Sequence, residues 1–338
     1  MDTLSEVLRA VRLTGAVYFS IDGSIPWVVE TPPGRVIAPH VGSGVEHVIN
    51  YHVVTAGVCW VGLAGQPGVR AQVGDVIVFP QGDPHVLSSE PGMRAHPDVA
   101  LYRAANQQAV PLCVSLSGGG PEGVRIVCGF LGCDARPFNP LLGALPRMIH
   151  VPAAHEASRA GASAARALVD LALAESTAPR PGSDGVLSRL SEVLFLEAIR
   201  FFTESLAPDE VGWFAALRDP TVGLALGRLH ERPAHPWTLQ TLAREAGTSR
   251  SVLAERFTRL VGMAPLQYLA RWRIQLAANL LRTTSLGLAE IAERVGYGSE
   301  PALSRAFKRT LGVSPAAYRS GRASDPDAGT REPDGRSF

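Results

Sequence analysis

Hydrophobic and polar positions alternate over short distances in the first part of the chain. Between residues 16 and 130, short runs rich in β-branched and aromatic residues are separated by Gly and Pro turns such as "GQPG" and "PQGDP". Such runs are typical of β-strands. Many short strands at regular spacing predict a sandwich or a barrel.

The pattern changes to a helical period after about residue 140. Residues 156–176 and 186–206 each predict a helix with one apolar face, and "APRPGSDG" separates them. The apolar stripe of the second helix either packs on the β-rich part or forms a dimer interface, and the sequence leaves both readings open. Its members are Leu187, Leu190, Leu194, Ile199, Phe201 and Phe202. The first residues, "MDTLSEVLRAVRL", predict a short amphipathic helix rather than a signal peptide.

An internal repeat lies in the last third of the chain. One copy starts at Leu242 and the other at Ile291, and each predicts a helix, a tight turn and a second helix. The matching positions are Gly247 and Gly296 at the end of the first helix, Ser249 and Ser299 as N-caps of the second, and Pro265 and Pro315 beyond its end. Each copy is therefore a helix-turn-helix, whose second helix can enter a DNA major groove.

Charge is distributed unevenly along a chain whose formal net charge is only +1. Residues 222–320 carry 14 Lys and Arg against 6 Asp and Glu, whereas residues 1–221 carry 15 against 21. A compact basic segment beside an acidic one predicts a polyanion-binding domain joined to a domain of another kind.

The repeat resembles the double helix-turn-helix domain of the AraC/XylS family of bacterial transcription regulators. The matching residues are "RWRIQLAANLL" and "IAERVGYGSEPALSRAFKRTLGVSPAAYR". The resemblance implies a two-domain α+β protein, with an N-terminal cupin-like β-barrel followed by helices and a C-terminal all-α double helix-turn-helix. We expect a cupin-like domain at 1–140, a helical linker or dimerisation region at 141–218 and the DNA-binding domain at 219–320. The composition of 321–338 predicts a disordered tail.

The exposed faces of the two second helices supply the candidate DNA contacts. Because Leu253 and Phe257 face inward, the outward side chains are Arg250, Ser251, Ala254, Glu255 and Thr258, then Glu300, Pro301, Ser304, Arg305 and Lys308, with Arg309 as a further phosphate contact. The resemblance implies base contacts from Ser251, Ala254, Glu255, Pro301, Ser304 and Arg305. Arg305 is suited to a bidentate guanine contact, the alternative being a solvated arginine paired to a carboxylate. Glu255 stands where family members usually carry Arg, and it either accepts from a cytosine or pairs with Arg259.

The segment "GDVIVFPQGDPH" fits the second cupin motif and ends at His85. Counting back from Gly57, which closes a predicted turn in "VVTAG", puts Asn50 where the first motif supplies a metal-binding Glu. This depleted ligand set predicts no metal, no cofactor and no catalytic residue. We expect instead a small-molecule pocket that uses His52, Trp60 and His85. The alternative is a cupin metalloenzyme whose helical domain serves assembly.

Four cysteines in a chain of this length form no disulfide framework. Cys128 and Cys133 lack the C-x2-C spacing of zinc and thioredoxin motifs. The resemblance implies an oxidant-responsive thiol switch at these two residues, and inert packing is the alternative.

These observations predict a cytoplasmic, homodimeric, sequence-specific DNA-binding regulator rather than an enzyme. Its expected partners are double-stranded promoter DNA, a small-molecule or oxidant effector, and RNA polymerase if it activates transcription. No run of about 18 apolar residues predicts a membrane span.

Overall fold

A computed structural model describes residues 3–11, 13–41, 45–105, 112–133, 137–153, 167–168, 170–172, 174–175, 178, 180–207 and 209–320. These residues form two compact units, each of which is described by itself. The β unit contains the described residues between 11 and 133 and between 140 and 210, and the helical unit contains 3–10, 137–139 and 211–320. The predicted first domain therefore contributes two short segments to the helical unit. The predicted tail, 321–338, and most of the predicted helix 156–176 lie outside the described residues.

The strands confirm the β-rich expectation. They are β1 (Thr14–Ser24), β2 (Val28–Thr31), β3 (His47–Leu63), β4 (Val69–Gln72), β5 (Val76–Phe79), β6 (His85–Ser88), β7 (Leu112–Ser117), β8 (Glu122–Cys133) and β9 (Ile149–Val151). Their order across the curled sheet is β2-β6-β3-β8-β1-β7, while β4 and β5 also pair with β3 and β9 pairs with β5. Only the described pair β1 and β7 is parallel.

The described helices are α1 (Thr3–Ala10), α2 (Gly34–Val41), α3 (Ala100–Ala105), α4 (Ser183–Ser205), α5 (Trp213–Arg218), α6 (Val222–Glu231), α7 (Leu239–Glu245), α8 (Arg250–Val261), α9 (Pro265–Thr283), α10 (Leu288–Val295), α11 (Glu300–Leu311) and α12 (Pro315–Arg319). A 3-10 turn covers Leu142–Ala144. None of these helices is both long enough and apolar enough to cross a membrane.

The predicted turn at Gly57 is wrong, because β3 is one continuous strand of 17 residues. Gly57 has a φ of +73° inside this strand. A Cβ at that position would lie 1.9 Å from the carbonyl oxygen of Gly123 on β8. The glycine thus allows two strands to approach closely next to a β-bulge between Val54 and Ala56.

Helix α4 packs its apolar stripe on the β unit. Leu187, Leu190, Leu194 and Ile199 are all buried, and the helix lies against β1, β5, β8 and β9. The hydroxyl groups of Tyr51 and Ser191 are hydrogen-bonded at 2.8 Å. Of the two readings of this stripe, packing on the β unit is therefore the one that applies to these four residues.

The helical unit contains both predicted helix-turn-helix copies, α7 with α8 and α10 with α11. The first copy packs around α9, and the second forms a core with α9 that includes Leu281, Ile291 and Phe307. Helix α1 packs on α6 and α9, and the Asn279 amide donates to the Ala10 carbonyl at 3.4 Å. The predicted amphipathic start of the chain is confirmed as this helix.

Candidate nucleic-acid interface and inner cavity

The second helix of each repeat begins and ends as the sequence predicts. The Ser249 hydroxyl accepts a hydrogen bond from the Val252 N–H at 3.3 Å, and the Ser299 hydroxyl accepts one from the Ala302 N–H at 3.3 Å. Gly247 and Gly296 adopt the left-handed conformation just after the preceding helix. These local signals fix where α8 and α11 start, and therefore which side chains face outward.

The predicted DNA contacts lie together on the outer faces of α8 and α11. Leu253 and Phe257 on α8, and Leu303 and Phe307 on α11, are fully buried on the opposite side. Of the predicted contacts, Ala254 and Ser304 are half-buried and the others are exposed: Arg250, Ser251, Glu255, Thr258, Glu300, Pro301, Arg305, Lys308 and Arg309. Each helix therefore presents a mainly polar outer face, and whether these residues contact DNA stays a prediction.

Four cations of this surface have no ion-pair partner among the described residues. They are Arg250 on α8 and Arg305, Lys308 and Arg309 on α11. The alternative for Arg305, a pair with a carboxylate, is therefore not observed. The alternative ion pair between Glu255 and Arg259 is not formed either. Exposed cations without protein counterions are available to bind phosphate oxygens.

Other arginines of the basic segment are engaged within the protein. Arg256 pairs with Asp219 at 2.5 Å. The Arg273 guanidinium donates to the carbonyl oxygens of Pro233 and His235 at 2.7 and 2.8 Å. Arg319 donates to backbone carbonyls that flank the end of α9. These three arginines of the basic segment therefore have structural partners within the protein.

A buried cluster of hydrogen-bonded side chains packs beneath the first helix-turn-helix. The Trp213 indole N–H donates to the Tyr268 hydroxyl oxygen at 2.9 Å, and His230 Nε2 lies 2.8 Å from the same oxygen. Burial lowers the pKa of His230 to about 3. The Phe138 ring meets the Tyr268 ring edge-on, with centroids 5.3 Å apart, and the Phe138 N–H donates to Gln275 Oε1 at 2.9 Å. The segment 137–139 is thereby attached to α9.

The structure brings His52 and His85 together inside the β unit. Their Nε2 atoms are 2.7 Å apart, His52 Nδ1 is 2.9 Å from Cys128 Sγ, and His85 Nδ1 is 2.8 Å from the carbonyl oxygen of Asp83. A carbonyl oxygen can only accept, so His85 carries its proton on Nδ1 and accepts at Nε2. His52 then donates from Nε2 and accepts the Cys128 thiol proton at Nδ1. The directions of all three hydrogen bonds follow from that one carbonyl.

Both imidazoles are held neutral. Burial lowers the pKa of His52 well below its ordinary value, and the nearby His85 lowers it further. Burial lowers the pKa of His85 to about 4 against the opposing hydrogen bond to Asp83. Burial also raises the pKa of the Cys128 thiol. The chain of hydrogen bonds is therefore uncharged near neutral pH.

An apolar cavity lies beside the hydrogen-bonded residues Cys128, His52 and His85, and we call it the inner cavity. Its lining residues are Phe19, Ile21, Val29, Thr31, His52, Leu87, Leu101, Tyr102, Val114, Cys128 and Phe130. Trp60, which the sequence places with His52 and His85, instead lines a separate surface groove with Met93 and Arg94. Sequence reasoning did not predict Phe19, Tyr102 or Phe130, whose rings pack edge-to-face on one another.

The residues at the cupin metal positions do not fit a metal ion. Two imidazole nitrogens that bind one zinc ion at about 2.0–2.1 Å each would be more than about 3 Å apart in tetrahedral geometry. His52 and His85 are closer than this and hydrogen-bond to each other. Within the described parts of the chain, no group of three His, Cys, Asp or Glu side chains could hold a metal ion.

Cys128 and Cys133 cannot form a disulfide with each other in this fold. They are five residues apart on the regular strand β8, which places them on opposite faces and roughly 17 Å apart. A disulfide requires Cα atoms within about 7 Å. Neither cysteine forms a disulfide with a described residue, and both side chains are buried. Any oxidant response of either residue would need another partner or a sulfur oxyacid.

Comparison with known proteins identifies both halves of the chain. The Cupin family matches residues 2–204, and the Helix-turn-helix domain family matches residues 242–321. An AraC-like transcription regulator of Streptomyces antibioticus is 35% identical over 94% of this chain and 98% of its own. The HTH-type transcriptional regulator AlkR of Acinetobacter baylyi is 30% identical over 94% of this chain and 99% of its own. The DNA-binding domain of AdpA, solved with a target DNA, is 39% identical and covers 32% of this chain and 99% of its own, with a TM-score of 0.30.

Proposed function

This chain belongs to the AraC-like family of DNA-binding transcription regulators with an N-terminal cupin domain, and we propose that it binds promoter DNA through the outer faces of α8 and α11. The observation that carries this assignment of residues is the set of unpaired cations, Arg250, Arg305, Lys308 and Arg309, on two matching helices. Phosphate contacts from Arg250, Lys308 and Arg309 would set affinity and register, while Ser251, Glu255 and Arg305 would contact bases.

The test is a footprint on the DNA upstream of the protein's own gene, repeated between about 50 and 200 mM salt. We expect Arg305→Ala to weaken specific binding by about 5- to 150-fold, which corresponds to the loss of about 1–3 kcal/mol of base discrimination. Arg294→Ala is the matched control, because Arg294 is exposed on α10 but already pairs with Glu290 at 2.8 Å. Equal affinity of the protein for unrelated DNA at the higher salt would contradict sequence-specific binding.

We propose that the inner cavity holds a small-molecule effector. Its apolar walls and few neutral polar groups support this role for His52, which lines the cavity. His85 lies behind it and is hydrogen-bonded to His52, whereas Trp60 faces a different groove. The same arrangement gives no support to the alternative of a cupin metalloenzyme, so we propose a regulator without catalytic function.

Effector binding would alter DNA binding through the segments 3–10 and 137–139, which belong to the helical unit although they flank most of the β unit in sequence. Tyr268 and Gln275 on α9 are the contacts of Phe138. Replacing Phe138 by Ala is expected to reduce the change in operator affinity that an effector causes, while the affinity of effector for protein is retained. An unchanged effector response in the variant would exclude this route.

We further propose a cytoplasmic homodimer that contacts RNA polymerase if it activates transcription. On α4, the apolar residues left exposed are Val186 and Val193, which are one heptad apart on one face. Sedimentation equilibrium of the full chain and of Val193→Asp tests the dimer. A monomeric parent protein at micromolar concentration, or a variant that dimerises equally well, would contradict this interface.

A further inference from the structure

One arginine on the helix that joins the two repeat copies bonds to a loop of the first copy. Arg273 lies in the middle of α9 and is half-buried. Its guanidinium donates from Nε to the Pro233 carbonyl oxygen at 2.7 Å and from Nη2 to the His235 carbonyl oxygen at 2.8 Å. Both carbonyls belong to the segment 232–238 between α6 and α7, which we call the lead-in loop. Two hydrogen bonds from one charged, planar group fix the position of this loop relative to α9.

The lead-in loop is itself attached to α7, the first helix of the first copy. The Trp237 indole N–H donates to the Arg232 carbonyl oxygen at 3.0 Å. The Arg232 guanidinium lies over the Trp237 ring and pairs with Glu245 of α7. Thr238 ends the loop and caps α7, because its hydroxyl oxygen accepts from the Thr241 N–H at 3.1 Å. The loop therefore moves with the first helix-turn-helix, and its bonds to α9 hold that copy in place.

The turn of the second copy packs directly on the same loop. Gly296, which ends α10 in the left-handed conformation with a φ of +84°, has no room for a side chain. A Cβ there would lie 2.6 Å from the Ala234 Cα and 2.8 Å from Arg273 Nη2. Gly247, the equivalent glycine of the first copy, is also left-handed, but a Cβ there would meet no described atom within 4 Å. The close approach is thus particular to the turn of the second copy.

Tyr297 follows in this turn and lies near the same guanidinium. Burial raises the pKa of Tyr297, and the positive charges of Arg273 and Arg309 act against this rise. Tyr297 also packs on the core of the second copy. The Arg273 guanidinium is therefore in contact with the lead-in loop on one side and with the turn of the second copy on the other.

We infer that Arg273, the lead-in loop and the turn at Gly296 form an inter-copy contact that fixes the orientation of α8 relative to α11, and that this orientation determines which spacing of two DNA segments the protein accepts. Arg273 acts through the loop and the turn, so it is a positioning residue and not a DNA contact. Helix α9 joins the two copies through the chain, and a second contact away from its axis restricts rotation of one copy about it. Successive base pairs of B-DNA rotate by about 34° and rise by about 3.4 Å, so a rigid pair of helices matches one spacing. This consequence for DNA rests on the proposed function, in which α8 and α11 contact DNA.

Double electron–electron resonance on the full chain measures the orientation without DNA. Spin labels are placed at Thr258→Cys on α8 and Lys308→Cys on α11, two exposed positions that match in the repeat. The exposed Cys113 is replaced by Ser, and excess unlabelled chain ensures that only pairs within one chain report. We expect a narrow distance distribution for this labelled protein and one at least about twofold broader for Arg273→Met, because two charge-assisted hydrogen bonds are lost. Arg271→Met, which removes the same charge from an exposed position on the same helix, should keep the narrow distribution.

Two matched glycine variants test the inter-copy contact from the side of the second copy. Gly296→Ala and Gly247→Ala share the strain of a side chain on a left-handed residue. Only Gly296→Ala also pushes against the lead-in loop, so it should shift or broaden the distribution while Gly247→Ala should not. If Gly296→Ala does not fold, Arg273→Met and its control decide alone. A distribution for Arg273→Met as narrow as that of the labelled parent, equal broadening in Arg271→Met, or no difference between two folded glycine variants overturns the inference.

Binding to DNA of altered spacing tests the consequence for site choice. The probe is the DNA that the footprint protects upstream of the protein's own gene, with two base pairs inserted between its two protected segments, which turns one segment by about 70° relative to the other. We expect the insertion to weaken binding of the parent protein and of Arg271→Met by at least about tenfold, because one helix loses its base contacts. The loss should be at least about threefold smaller for Arg273→Met, because its copies can rotate toward the displaced segment.

The two experiments separate this inference from the proposed function. If no DNA is bound specifically, the DNA-binding assignment is wrong, and the spin-label distances still decide whether the inter-copy contact fixes the orientation. If Arg273→Met broadens the distance distribution but suffers the full loss on insertion, orientation does not determine spacing and that part of the inference is overturned.

Discussion

His230 makes the helical unit sensitive to acid, and the size of this effect follows from its burial. The unfolded residue has an ordinary pKa near 6.5, whereas burial lowers the folded value to about 3. The unfolded chain therefore binds a proton that the folded chain does not, once the pH falls below about 6.5. Stability is lost from there downward until the pH reaches the folded value. Between about pH 7.5 and about pH 5, the change is about 1.5 pKa units, or about 2 kcal/mol.

The variant His230→Phe isolates the contribution of His230 protonation to the loss of stability in acid. Phenylalanine keeps a ring beside Trp272, whose centroid lies 4.4 Å from that of His230, but it does not titrate. It also removes the hydrogen bond to the Tyr268 hydroxyl, which costs about 1–3 kcal/mol at every pH. The expected signature is a lower stability at about pH 7.5 together with a smaller loss on acidification, by about 2 kcal/mol.

The assay is urea unfolding of the full chain at both pH values, followed by hydrogen exchange of peptides that span 222–231 and 265–283. These peptides report on the helical unit alone, which matters because two units need not unfold together. Tyr268→Phe is the control, since it removes the same hydrogen bond and keeps the imidazole. If His230→Phe loses as much stability on acidification as the parent protein, or if Tyr268→Phe loses its pH dependence, the reasoning is refuted.

Three further predictions test other parts of the structure. Gly57→Ala should lower the free energy of unfolding of the β unit, measured by urea titration, by more than the roughly 1–2 kcal/mol that a left-handed residue costs, because the added Cβ meets the β8 backbone. Arg250→Ala should reduce the salt slope of DNA binding by about 1, whereas Arg256→Ala, which breaks an internal ion pair, should leave that slope unchanged and lower the thermal midpoint. After treatment with a thiol oxidant, mass spectrometry of peptides should find no disulfide that joins Cys128 to Cys133, and finding one would mean that β8 had unfolded.

The helical domain could be predicted in detail because its signals are local. Ser249 and Ser299 cap their helices with their own hydroxyl groups. The glycines and prolines that follow end each helix within a few residues. The apolar stripe of each helix repeats with the same period as the fold. None of these signals depends on a contact that is distant in sequence. The side chains that face outward on α8 and α11 can therefore be predicted from the sequence.

The inner cavity could be predicted only in part because long-range pairing decides which residues meet there. His52 and Trp60 are an even number of residues apart, which would put them on one face of a regular strand. The bulge between Val54 and Ala56 shifts the register by one residue and turns Trp60 outward. Helix α2 was missed because Pro39 lies inside it and argues against a helix. Its packing on β3, with Ile37 fully buried, outweighs that preference.

The two helices that we propose to contact DNA, α8 and α11, differ in charge, and this difference bears on how the helical unit could be controlled. Helix α11 carries three cations without an ion-pair partner among the described residues (Arg305, Lys308 and Arg309), whereas α8 carries two (Arg250 and Arg259) and its third cation, Arg256, is held by Asp219. We therefore expect α11 to supply most of the attraction to phosphate, so that occupancy of α8 depends more on DNA sequence. The segment 137–139 is connected by packing to α8 rather than to α11. Phe138 contacts Tyr268, and the Tyr268 ring meets Phe257 of α8 with centroids 5.8 Å apart. We therefore expect a shift of this segment to disturb α8 before α11, and to change the choice of DNA site more than the overall affinity for DNA.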